Sequence, residues 1–99
     1  MIMSRTPIHP GQILKDELKE IGITATELSR QIKVPENRVP QIIAGKRNIT
    51  ADTALRLGKW FNMSPSFWLN LQKSYELRKA EQEIGKEIDT IPTRVKEPV

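Results

Sequence analysis

Between residues 24 and 45 the chain reads TATELSRQIKVPENRVPQIIAG, and this stretch limits the possible folds more than any other. It packs two helix starts and a forced turn into a short span. Thr24 can accept a hydrogen bond from the Glu27 amide, and Glu27 can reach back to the Thr24 amide, the reciprocal pattern of a capping box. Leu28 and Ile32 lie four apart and mark a buried face, with the small Ser29 beside them where a second helix can come close. Lys33 and Val34 form the turn, and Pro35 then fixes a backbone angle suited to starting a helix. From Glu36 onward Val39, Ile42 and Ile43 face inward while Asn37, Arg38 and Gln41 face out, and Gly45 closes the segment.

A helix with polar, hydrogen-bonding residues in its first turns, braced by another across a short turn, is a helix-turn-helix. The remainder of the chain supplies three more helices. Residues 1–8 read as a loosely held arm, in which Arg5 is either a phosphate contact or a solvated charge. His9-Pro10-Gly11 then opens a helix whose Ile13, Leu14, Leu18 and Ile21 recur at helical spacing and which Gly22 ends. Thr50 caps another helix, with Asp52 near its positive end and Ala54, Leu55, Leu57, Gly58 and Phe61 as its apolar face; Asn62 and Met63 break it. Ser64-Pro65 restarts a long helix that runs to about Gly85. Its first part is large and apolar; past Tyr75 a thin stripe of Leu77, Ala80, Ile84 and Ile88 runs through charged residues, either a solvated helix end or a surface for a second chain. The expected fold is all-α: five helices in a domain spanning 9–85, the helix-turn-helix unit at 24–45, and a flexible tail at 86–99.

Composition bounds the function. Ninety-nine residues, 37% hydrophobic and 28% charged, fit one globular domain with a modest core. The formal net charge of +4 favours a polyanionic partner. The excess is local: residues 1–75 carry 11 Lys and Arg against 6 Asp and Glu, whereas residues 76–99 carry 5 against 6. Without cysteine there is no disulfide or thiolate metal site. Neither a signal-peptide core nor a run of ~20 apolar residues is present, so a cytoplasmic location and no membrane partner are expected. An enzyme is not expected, nor any cofactor or metal: there is no glycine-rich phosphate loop, no metal-ligand spacing and no nucleophile beside a base. The single histidine, His9, reads as a cap or packing residue. The aromatic stacking platform of RNA-binding modules is missing.

Five strings taken together, His9-Pro10-Gly11, the bihelical unit, Gly45-Lys46-Arg47, ITADTALRL at 49–57 and SPSFWLNLQ at 64–72, resemble the HigA/VapI-type antitoxins, a branch of the XRE (phage repressor and Cro-like) helix-turn-helix family. The likeness covers about residues 7–81. It implies a homodimeric repressor of its own toxin–antitoxin operon that also neutralises, by direct binding, an mRNA endonuclease toxin of the HigB/RelE type. Two positions depart from the family pattern. Lys33 stands where glycine is usual in the turn, at a cost of about 1 kcal/mol if the residue is left-handed. Pro40 stands inside the second helix, where it removes one amide and crowds the Glu36 carbonyl, predicting a tightened or bent helix start.

An α-helix fits the DNA major groove. Asn37 and Gln41 have the chemistry to pair with adenine, and Arg38 with guanine or a phosphate. Glu36 either accepts from cytosine or stabilises the helix start. Thr24, Thr26, Lys46, Arg47 and Asn48 are the expected phosphate contacts on duplex operator DNA. A twofold dimer would read an inverted repeat with half-sites ~34 Å apart. Trp68, Leu71, Tyr75, Leu77 and Ile84 are the expected dimer interface, from the surplus of aromatic residues there. Two other functions compete: a stand-alone repressor without a toxin, and a toxin-sequestering module that has lost DNA binding.

Overall fold

The computed structural model describes residues 6–95. Five helices follow in order, α1 Pro10–Ile21, α2 Ala25–Gln31, α3 Arg38–Ile43, α4 Ala51–Phe61 and α5 Pro65–Ile88, with no strand among the described residues. None of them is long and apolar enough to cross a membrane.

Local chemistry sets the helix ends. His9 Nδ1 accepts from the Gly11 amide at 2.9 Å, and Pro10 occupies the first turn of α1, where a missing amide costs nothing. Gly11 has a second reason to be glycine: a β-carbon there would collide with the Ile42 carbonyl, so α1 and α3 meet backbone to backbone. Thr24 caps α2 by accepting from the Glu27 amide at 3.1 Å. The reciprocal arm of the capping box is absent, because the Glu27 carboxylate turns to Arg30 at 3.0 Å and Gln31 at 3.2 Å. Helix α3 closes in a Schellman motif, with the Gly45 amide on the Ile42 carbonyl and the Lys46 amide on that of Gln41. Asn62, at φ 57°, ends α4 in the same way.

Packing joins α2 to α3, α1 to α3 and α5, and α4 to α5. Leu14, Leu18, Leu28, Val39, Ile42, Leu57 and Trp68 fill the shared interior. Three expectations need correction. Leu55 does not belong to the apolar face of α4; it is 62% exposed, because the face follows Ala54, Leu57 and Gly58. Trp68 is 1% exposed and lies within the chain's own core, tilted against Phe61 and edge-on to Phe67, so it has no surface to give a second subunit. The last helix runs to Ile88, three residues into the stretch expected to be tail. The tail residues 96–99, and Arg5 with the first part of the N-terminal arm, lie outside the described residues.

His9 also links α1 to α5. Its ring meets Tyr75 edge-on at 4.9 Å, and the Lys79 ammonium stands 5.9 Å from the Tyr75 ring centre. Tyr75 is therefore half-committed within the chain, and Leu71 packs against the core. Of the expected interface residues, Leu77 and Ile84 are the exposed ones.

Candidate nucleic-acid interface

The turn between α2 and α3 carries the site. Lys33 is left-handed at φ 64°, its amide donating to the Arg30 carbonyl and the Val34 amide to that of Ser29. Holding a non-glycine residue there costs about 1 kcal/mol, and the surroundings hold it firmly. Arg56 on α4 reaches under the turn, donating to the Ile32 carbonyl at 2.8 Å and the Lys33 carbonyl at 3.2 Å. Those carbonyls close α2 and have no helical partner of their own. Asp52, one turn back on α4, fixes the other side of the guanidinium at 2.7 Å. Trp60 Nε1 adds a bond to Gln31 Oε1 at 2.7 Å, so α4 braces α2 at two points.

Helix α3 starts later than Pro35. Pro35, Glu36 and Asn37 form a turn closed by the Arg38 amide on the Pro35 carbonyl at 2.9 Å, and the helix begins at Arg38. Pro40 is then the third helical residue. The first four amides of a helix lack intrahelical acceptors, so its missing N–H breaks nothing. The closed turn at Pro35 sets Glu36 and Asn37 ahead of the helix rather than on it.

Asn37 is exposed and makes no cap bond, while Arg38 and Gln41 are half-buried, so none of the three is turned into the core. Glu36 is paired with Arg30 at 2.7 Å, and Arg30 also holds Glu27 at 3.0 Å. Glu36 and then Glu27 push the Arg30 pKa up, and hydrogen bonds from Gln31 and Arg30 push the Glu27 pKa down. The negative charge of Glu36 is thus met by Arg30 across the turn.

Arg47 Nε donates to Gln41 Oε1 at 3.1 Å, which brings an expected phosphate contact and an expected base contact into one unit. The Gln41 amide nitrogen is left to donate. Lys46 and Arg38 join no ion pair among the described residues. Thr24 is exposed and Thr26 half-buried at the start of α2, and Asn48 lies with its side chain against His9. The loop carrying Lys46 and Arg47 is anchored from below. Gln72, buried on α5, accepts from the Ile49 amide at 2.8 Å and donates to Glu76 at 2.9 Å.

Three positioning residues, Arg30, Arg56 and Gln72, escape a reading by pattern, as do the hydrogen bonds of Ser29. The Arg56 pairing with Asp52 at i,i+4 is a local signal; the reach to the turn is not. Gln72 closes the SPSFWLNLQ string, and the anchored loop gives that position a physical role.

This arrangement presents amide and guanidinium side chains from a short braced helix, flanked by a basic loop, which is what groove entry with backbone contacts requires. A helix-turn-helix family model matches residues 14–68. Virulence-associated protein I of Dichelobacter nodosus is 46% identical over 77 residues, 77% of this chain and 71% of that protein. The structure of an addiction module antidote protein of the HigA family from Coxiella burnetii is 46% identical and superposes with a TM-score of 0.88, over 92% of this chain and 100% of that one. The structure of antitoxin HigA of Pseudomonas aeruginosa with the higBA promoter is 43% identical with a TM-score of 0.86, over 91% and 100%.

Proposed function

The chain belongs to the helix-turn-helix family matched across residues 14–68, and from that premise we propose that it is a DNA-binding antitoxin that represses its own operon. It acts by binding, not by catalysis, in the cytoplasm where its operator lies. Asn37, Arg38 and Gln41 enter the major groove, with Glu36 held back by Arg30. Thr24, Thr26, Lys46, Arg47 and the exposed Asn48 grip phosphates.

The observation that carries this reading is the outward placement of Asn37, Arg38 and Gln41 in a chain 43% identical to a HigA antitoxin solved with promoter DNA. One such unit spans few base pairs, so specificity calls for a dimer on an inverted repeat. The second half of α5 is the seam: Leu77, 67% exposed, with Ile84 and Ile88, keeps one side of the helix apolar beyond the core. The same chain neutralises a HigB/RelE-type endonuclease encoded beside it.

A gel shift with the DNA upstream of the chain's own gene tests the first half, with sedimentation to follow the dimer. Co-purification with the adjacent gene product tests the second. A saturable shift on an inverted repeat and a stable complex are expected. No shift at low salt overturns the repressor reading and leaves a sequestering module; a shift with no toxin complex leaves a stand-alone repressor.

A further inference from the structure

A second surface lies outside the helix-turn-helix. Between α1, the end of α4 and the start of α5 runs a cleft of about 240 Å³, lined by Ile13, Asp16 and Glu17 on one side and by Phe61, Met63 and Phe67 on the other; Trp68 contributes from the core. Phe67 is 41% exposed and Met63 38%, large apolar side chains left in water by the fold. Along α1 the residues Ile13, Asp16, Glu17 and Glu20 fall at i, i+3, i+4 and i+7, a single stripe. Its three carboxylates are exposed and join no ion pair among the described residues. No cationic side chain lines the cleft, although the chain as a whole carries +4. An apolar seat beside unpaired carboxylates is complementary to a cationic protein surface with an apolar anchor.

Resting on the antitoxin reading above, we propose that this cleft is where the toxin docks. An enzyme that cleaves mRNA must hold a polyanion and so presents Lys and Arg at its working surface. Asp16, Glu17 and Glu20 meet that surface, and an apolar residue of the toxin fills the space between Ile13 and Phe67. The carboxylates then occupy the ground that RNA phosphates would take. None of the cleft residues lies on α2, on α3 or in the 46–50 loop, so toxin and operator are held through different side chains and can be bound at once.

The experiment measures affinity for the purified adjacent gene product by calorimetry, comparing the unchanged chain with Asp16→Lys/Glu17→Lys and with Phe67→Ser. Circular dichroism and the operator gel shift report folding and the other face. Both variants are expected to fold and to bind operator as before, with toxin affinity lowered by at least roughly tenfold. Added salt is expected to weaken the unchanged complex. Unaltered toxin affinity in both folded variants overturns the proposal while the antitoxin reading stands. Failure of the unchanged chain to bind the toxin overturns both. Toxin binding retained while the variants lose the dimer in sedimentation assigns the cleft to a second copy of the chain and also overturns it.

Discussion

Ser29 Oγ accepts the Val39 amide at 3.0 Å while donating to the Ala25 carbonyl at 3.1 Å, so one hydroxyl bonds both helices of the helix-turn-helix. Asn37 provides no side-chain cap to α3, and Ser29 takes over that task from the preceding helix. The angle between the two helices is tied to this bond, since both partners are fully buried.

Replacing Ser29 with alanine leaves the buried Val39 amide without an acceptor. The expected loss is about 1–3 kcal/mol, read as a lowered Tm of about 4–8 °C for each kcal/mol in a domain of this size. Operator binding weakens alongside, because α3 loses its brace. A variant as stable as the parent, by urea titration, shows that water or a shifted helix satisfies the amide.

Pro40→Ala separates a proline inside a helix from one in its first turn. An interior proline costs ~3 kcal/mol, and its removal would stabilise by a similar amount. At the third helical residue no bond is recovered, and alanine loosens the unfolded chain. A change between zero and about 1 kcal/mol of destabilisation is expected. Stabilisation of 2 kcal/mol or more, on the scale of an interior proline, places the start of α3 earlier than Arg38.

Gln41 and Arg47 are coupled through their 3.1 Å bond. Gln41→Ala is expected to relax preference at one base position, at about 1–3 kcal/mol of discrimination. Arg47→Ala weakens binding to all sequences and lowers the salt slope by about 1. Because Arg47 also orients Gln41, the double variant is expected to fall short of the sum of the two. Additive losses, measured on the same operator, mean that the pair separates on DNA.

His9 makes stability depend on pH. Burial is the main reason its pKa lies below the ordinary 6.5; Asn48 opposes the shift in part, and the Lys79 charge adds to it. The unfolded chain therefore takes up this proton at higher pH than the fold does. Its contribution is complete above about 6.5, falls as the pH drops toward the folded pKa, and is gone below that. Protonation also removes the acceptor of the Gly11 amide. Asparagine is a good cap that does not titrate. His9→Asn is expected to flatten the stability profile between pH 7.5 and 5.5 in urea titrations, a window above the titration of ordinary carboxylates. An unchanged slope assigns the dependence to another group.

Much of the secondary structure is legible in the residues themselves. Thr24, Thr50 and Ser64 each cap the helix that follows, and Gly22, Gly45 and Asn62 each turn left-handed after one. The start of α3 was less legible, because Pro35 is as good a residue for a turn as for a first helical position. The site is divided in the same manner. The outward placement of Arg38 and Gln41 follows from helical spacing, whereas that of Asn37, set by the turn ahead of α3, and the partners that orient the set do not. Trp68 shows the limit of arguing from composition. A surplus of aromatic residues suggested an interface, yet Phe61 and Phe67 enclose its ring within one chain.

The sequence by itself determined that there are five helices, the caps that open most of them, and the stretch of chain that carries the basic excess. These depend on contacts a few residues apart, which spacing records directly. Tertiary structure alone decided that Arg56 clamps carbonyls 24 and 23 residues away, that Gln72 holds an amide 23 residues back, and that Trp60 bonds Gln31 across 29. Such partners are chosen by how whole helices pack, and a polar group then bonds to whatever unpaired donor or acceptor the packing leaves within reach.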